Sequence, residues 1–185
     1  LWDRQARALT LARDRLGEKP LYYGHVGGEL VFASELKAFA ALPGWSPGID
    51  RQAVSLFMRY AYVPAPWSIY RGIRKLEPGA TVRFDAAGGE PVAGRYWDAL
   101  GAIRAARENP FSGSLTDAAD ALETLLGDTI RLQSMADVPL GAFLSGGIDS
   151  STVVALMQKL GGALVRTFSI GFNEEGYDEA RHAAA

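Results

Sequence analysis

The sequence has 185 residues, 48% hydrophobic and 22% charged, which suits one large globular domain or two small ones. A net charge of −2 gives no basic surplus for nucleic acid, and no apolar run approaches the ~18 residues of a membrane span. There is no cysteine, which excludes disulfides, thiolate metal sites and cysteine nucleophiles among these residues.

Leu1-Trp2-Asp3 reads as the end of a strand, and Ala183-Ala184-Ala185 as part of a starting helix, so both ends are expected to be cuts. Leu9-Thr10-Leu11-Ala12 reads as a strand, followed by the charged turn Arg13-Asp14-Arg15-Leu16-Gly17. Leu21-Tyr22-Tyr23 and Leu30-Val31-Phe32-Ala33 flank Gly27-Gly28, as in a hairpin. Ser34 is placed to cap a short helix with Leu36 and Phe39 inward. Val54, Phe57 and Met58 fall at helical spacing behind Asp50, a good N-cap, and Pro64 and Pro66 should end that helix. Pro78-Gly79 signals a turn before the strand Thr81-Val82-Arg83-Phe84.

Periodicity fades from Ala99 to Ser114, around Gly101, Asn109-Pro110 and Ser112-Gly113-Ser114. The expected organisation is therefore a first domain over residues 1–98, a linker over 99–115 and a second domain over 116–185. Thr116 opens a helix with Leu122, Leu125, Leu126 and Ile130 in one stripe. Val138 to Leu144 is short and nearly all apolar, as in a buried parallel strand. A glycine-rich turn follows, then a helix with Val153, Leu156, Met157 and Leu160 on one face, then a strand from Val165 to Ile170.

That turn, Ser145-Gly146-Gly147-Ile148-Asp149-Ser150-Ser151, carries the chemistry. Two glycines let an anion approach the backbone. Free N–H groups and the dipole at the helix start favour phosphate. Ser145, Ser150 and Ser151 add hydroxyl donors, and Asp149 is suited to holding Mg²⁺ beside the phosphates. The bland reading is a capped strand-to-helix turn without ligand. A Walker loop is excluded because no Gly-Lys-Ser/Thr follows, and a dinucleotide fingerprint because a third glycine is missing.

Ser145-Gly146-Gly147-Ile148-Asp149-Ser150 resembles the loop of ATP pyrophosphatases, which cleave ATP between its α and β phosphates. Most of the chain resembles glutamine-hydrolysing asparagine synthetases. The resemblance rests on Ala12-Arg13-Asp14-Arg15-Leu16-Gly17-Glu18-Lys19-Pro20-Leu21-Tyr22-Tyr23, Phe32 to Ala38, Leu76-Glu77-Pro78-Gly79, Asp137 to Gly141 and Phe168 to Phe172. It implies the later part of an α+β N-terminal-nucleophile glutaminase domain, followed by the start of a doubly wound α/β ATP-pyrophosphatase domain. It implies a cytoplasmic ligase, compatible with a homodimer, that takes ATP, aspartate and glutamine as substrates and makes asparagine through an aspartyl-adenylate. Leu144 and Ile170 match family positions that contact the nucleotide. Leu144, Ser145, Gly146, Gly147, Asp149, Ser150, Ser151 and Ile170 are thus the expected ATP and pyrophosphate site, with Asp149 toward Mg²⁺. The family's glutaminase nucleophile is a cysteine, and none is present here. No catalytic residue is therefore assigned in these residues.

Related amidotransferases, including β-lactam synthetases and polysaccharide-modifying enzymes, share the architecture. A stand-alone pyrophosphatase acting on tRNA would need a basic surface, which the charge disfavours. A non-enzymatic binding module is the third alternative: the intact loop argues against it for a longer parent protein but not for residues 1–185 by themselves, which are expected to be inactive and to bind ATP weakly or not at all. Arg13, Asp14, Arg15, Glu18 and Lys19 read most simply as a solvated turn with local ion pairs, while the family resemblance implies a place near the domain interface through which ammonia passes. Trp45, Trp67 and Trp97, with Tyr60, Tyr62 and Tyr70, read as core and domain-interface packing rather than a binding box, and Asp178 and Glu179 as first-turn acids of a helix. His25 and His182 are isolated in sequence and read as neither ligand nor catalyst.

Overall fold

The structure, a computed structural model, describes residues 1–173 and 178–184. Two compact units divide at Pro110 and Phe111, inside the stretch expected to link two domains.

In the first unit, strands β1 (Trp2–Asp3), β2 (Ala8–Ala12), β6 (Ala80–Asp85) and β7 (Val92–Arg95) form one antiparallel sheet in the order β1-β2-β6-β7. Strands β3 (Tyr22–Val26), β4 (Glu29–Ala33) and β5 (Ile73–Lys75) form a second, with β3 central. Leu11 of β2 pairs with Val82 of β6, and both are buried with Leu76 and Ala80 in the core. Tyr23 of one sheet meets Phe84 of the other edge-on, ring centroids 5.8 Å apart. Phe39, Trp45 and Tyr70 form a second aromatic run, so Trp45 and Tyr70 serve packing, whereas Tyr60 and Tyr62 are exposed.

The β3–β4 hairpin turns at Gly27 and Gly28, as the sequence suggests. Their φ values of +59° and +87° are the left-handed pair that a two-residue turn requires. Asp50 caps α1 (Arg51–Tyr60), accepting from the N–H groups of Gln52 and Ala53 at 2.8 and 3.2 Å. The helix ends at Ala61 in a left-handed conformation, before either proline acts on it. The expected cap at Ser34 is not made. The segment Leu36–Ala41 is a 3-10 helix with Glu35 at its N-cap and no side-chain cap.

The expected linker is only partly irregular. Ala99–Glu108 forms helix α2, because both Asp98 carboxylate oxygens cap it, at 3.1 Å to Leu100 N–H and 3.0 Å to Gly101 N–H. Four alanines among its ten residues favour the helix and outweigh one glycine. Strand β7, unexpected from the sequence, forms because Ala80 to Arg83 of β6 offer an open edge that pairs with Val92 to Arg95.

In the second unit, α3 spans Leu115–Gln133. It starts one residue before the expected Thr116, because Ser114 and Asp117 form a reciprocal capping box. Strand β8 (Gly141–Phe143), helix α4 (Ile148–Leu160) and strand β9 (Arg166–Phe168) form a βαβ unit, β8 and β9 being parallel. Helix α3 meets α4 where Gly127 lies beside Leu160 and Glu123 ion-pairs with Lys159. A short helix, α5, spans Ala180–Ala183. The expected buried strand over 138–144 is shorter and more open: Val138 and Phe143 are 71% and 76% exposed. Two strands alone cannot cover their own faces. Leu122 and Leu125 of the expected α3 stripe are likewise exposed, while Leu126 and Ile130 are half-buried.

Candidate functional site

The glycine-rich turn stands between the carboxyl end of β8 and the start of α4. In parallel α/β units this is where ligands bind. Leu144 donates its N–H to Phe168 C=O at 2.9 Å, and its own C=O accepts from Ser169 Oγ at 2.6 Å. These bonds hold the two strand ends side by side. Ile170, just beyond β9, is 61% exposed at the same end of the sheet.

Gly146 has φ +79°, a left-handed turn that reverses the chain into α4. Ser150 closes the turn from within the helix. Its Oγ accepts from Ser145 N–H at 3.3 Å, donates to Gly147 C=O at 3.2 Å and lies 3.0 Å from Ser145 Oγ. Ser145 Oγ in turn accepts from Gly147 N–H at 3.4 Å. The first intrahelical bond runs from Ser151 N–H to Gly147 C=O.

Helix α4 differs from α1, α2 and α3 at its start. Those three are capped by Asp50, Asp98 and Ser114, whereas Gly147 offers α4 no side chain. The N–H groups of Ile148, Asp149 and Ser150 are thus left for an anion, with the helix dipole behind them. No lysine or arginine occurs from Gly141 to Thr152, so the attraction for an anion comes from backbone and hydroxyl groups.

Asp149 is exposed in the first turn of α4. Among the described residues no three His, Asp or Glu side chains cluster to hold a metal ion. The donor set therefore fits a magnesium ion that arrives with phosphate oxygens and takes one carboxylate from the protein, rather than a fully protein-held ion.

The structure joins one residue to this site that sequence reasoning set aside. Helix α5 lies against the turn, so that a Cβ on Gly146 would sit 2.5 Å from the carbonyl carbon of His182 and 2.6 Å from its Cβ. His25 belongs to the first unit, where it is exposed on β3. No sequence pattern links Gly146 to His182, which are 36 positions apart in the chain.

The charged segment after β2 also departs from its expected form. The Arg13 guanidinium donates to three backbone carbonyls, those of Lys19 (3.0 Å), Leu76 (2.7 Å) and Gly17 (2.7 Å). Asp14 accepts from the N–H groups of Glu18 and Lys19, at 2.8 and 3.3 Å. The Glu18 N–H, with smaller help from Lys19, holds the Asp14 carboxyl below its ordinary range. The Tyr96 hydroxyl donates to Arg13 C=O at 2.6 Å. The segment is a backbone clasp rather than a set of surface ion pairs.

Residues 1–97 match the family described as a glutamine amidotransferase domain, and residues 121–185 match the asparagine synthase family. The chain belongs to the glutamine amidotransferase and asparagine synthase family. Across 97% of its length it is 37% identical to the putative glutamine-hydrolysing asparagine synthetase 2 of Methanocaldococcus jannaschii, covering 34% of that protein. It is 36% identical, over its whole length, to a putative glutamine-hydrolysing asparagine synthetase of Mycobacterium tuberculosis, covering 28% of it. To the glutamine-hydrolysing asparagine synthetase 1 of Bacillus subtilis it is 33% identical over 97% of its length, covering 27% of that protein. The chain thus spans about a third or less of the length of these relatives. Within this family the expected order of domains holds: an amidotransferase domain precedes the start of an asparagine synthase domain. No described helix is long and apolar enough to cross a membrane.

Proposed function

We propose that residues 1–185 belong to a longer cytoplasmic ligase that uses ATP to convert aspartate to asparagine, with ammonia released from glutamine. The observation that carries this reading is the uncapped start of α4 behind the Ser145–Ser150 turn, at the carboxyl end of two parallel strands. The family relationship of both halves supports it.

In this reading residues 1–98 are the later part of an N-terminal-nucleophile glutaminase domain. Residues 116–185 begin a doubly wound ATP-pyrophosphatase domain, with 99–115 between them. The N–H groups of Ile148, Asp149 and Ser150 receive the oxygens of the departing pyrophosphate. Ser145, Ser150 and Ser151 add hydroxyl donors once a phosphate displaces the bonds that close the turn. Leu144 and Ile170 give an apolar floor for the nucleotide. Asp149 would help to hold a magnesium ion beside the phosphates, where the ion would offset the charge that builds on the pyrophosphate as the bond between the α phosphorus and the bridging oxygen breaks. Attack by the aspartate carboxylate on the α phosphate makes a mixed anhydride and releases pyrophosphate. Ammonia then displaces AMP to leave the amide. Donors fixed before reaction lower the barrier most where charge accumulates, here on the pyrophosphate.

Glutamine hydrolysis in this family-based reading needs a cysteine nucleophile, which is not among residues 1–185. The assignment is tested by pyrophosphate release from the full-length protein with ATP, Mg²⁺, ammonia and aspartate. Release that depends on aspartate supports it. Release that depends on another carboxylate, with none for aspartate, replaces asparagine synthesis by a related amidotransferase reaction.

A further inference from the structure

We propose that His182 is a phosphate-binding residue of the Ser145–Ser150 turn, donating an imidazole N–H to the pyrophosphate portion of the bound nucleotide. The inference rests on the reading of the turn as a pyrophosphate site and adds a residue from a separate element to it.

Three observations carry it. First, the contact is close and specific: a Cβ at Gly146 would lie 2.5, 2.6 and 2.7 Å from the carbonyl carbon, Cβ and carbonyl oxygen of His182. A missing side chain at 146 is needed to seat the backbone of α5, and the imidazole therefore starts at the edge of the turn. Second, α5 is held there by its own bonds. Asp178 Oδ1 accepts from Phe172 N–H at 3.4 Å and from Ala180 N–H at 3.3 Å, tying α5 to the chain just beyond β9. His182 N–H donates to Glu179 C=O at 3.0 Å. Third, the turn lacks any basic side chain from Gly141 to Thr152, while a pyrophosphate carries several negative oxygens. His182 is exposed, and its Cβ lies beside Gly146, in the turn that leads into the uncapped start of α4. An imidazole there supplies the side-chain nitrogen donor that the turn does not.

The test follows the ring nitrogens of His182 and the backbone amides of the turn by NMR while magnesium pyrophosphate is added to this 185-residue chain. Only His25 and His182 contribute ring signals, and His25, on β3, is the internal control. NMR detects millimolar binding, so a site completed by further segments of the full-length enzyme can still be read. The expected result is saturable movement of the His182 ring signals together with the amides of Gly147 to Ser150, while His25 stays still. Movement of the amides without His182 overturns the proposal and leaves the phosphate reading of the turn intact. If neither moves, both are wrong. His182→Ala should weaken pyrophosphate binding about tenfold, the worth of one hydrogen bond to a charged group. His182→Gln, which keeps a donor, should recover part of that loss. Equal affinities for all three proteins would overturn the proposal.

Discussion

Ser145 Oγ and Ser150 Oγ lie 3.0 Å apart across the glycine turn, and Ser150 Oγ also bonds Ser145 N–H and Gly147 C=O. One hydroxyl thus joins the strand side of the turn to the helix side. Ser150→Ala removes all three contacts. We expect stability to fall by no more than about 1 kcal/mol, because the turn is open to water. ATP-dependent synthesis by the full-length enzyme should fall at least about tenfold in kcat/KM, because a phosphate-binding donor and the shape of the turn are both lost. Ser150→Thr, which keeps the hydroxyl, should retain much of the activity. Steady-state kinetics with both variants checks this.

Gly146 combines φ +79° with the close approach of His182. An alanine there is strained by its backbone angle and meets backbone atoms that have no flexible end to move aside. Gly146→Ala should destabilise the second unit by about 1–3 kcal/mol and unseat α5. Denaturant unfolding measures the first effect. Faster amide exchange in Ala180 to Ala183 reports the second.

Arg13 binds three carbonyls, of Gly17, Lys19 and Leu76, with one planar group. Arg13→Ala should cost the first unit about 2–3 kcal/mol. Arg13→Lys should recover little, since a single ammonium cannot span the three directions of the guanidinium fork. Urea unfolding of the three proteins tests this ordering.

Asp14 gives a pH dependence with a defined sign. Its folded-state pKa lies below its ordinary value of 3.8, chiefly through the Glu18 N–H bond. Such a group contributes stability fully above that ordinary value, and the contribution is lost as pH falls through the folded value. Asp14→Ala should therefore flatten the loss of stability of the first unit below about pH 4. Its unfolding midpoint should differ from the wild type at neutral pH and converge with it in acid. Asp117 is shifted in the same direction by Ser114, so the reading must come from signals of the first unit.

Much of this was legible locally. Asp50 before an apolar stripe, Gly27-Gly28 between two apolar runs, and six contiguous residues from Ser145 to Ser150 all act over short chain distances, where sequence pattern is strongest. Helix α2 was hidden because Gly101 and Asn109-Pro110 read as breakers, while the Asp98 cap outweighs the glycine. The Arg13–Asp14 segment was misread because ion pairing is the default for mixed charges, and the carbonyls of Leu76 and Gly17 become available only once β2 and β6 pair. The strand over 138–144 looked buried because its residues are apolar. Apolar composition does not itself supply a covering layer, and Phe143 and Phe168 remain exposed. His182 carried no signal at all, since its meeting with Gly146 is purely tertiary.

In the proposed function the Ser145–Ser150 turn holds the pyrophosphate that leaves when ATP activates aspartate. Asp149→Ala in the full-length protein, assayed with ATP, Mg²⁺, aspartate and ammonia so that glutaminase activity plays no part, tests it most directly. Aspartate-dependent release of AMP and pyrophosphate, present in the wild type, should fall at least about a hundredfold in the variant, as when a charge-stabilising group is removed from a site. Unchanged release by Asp149→Ala, or wild-type products of ADP and phosphate, would contradict it.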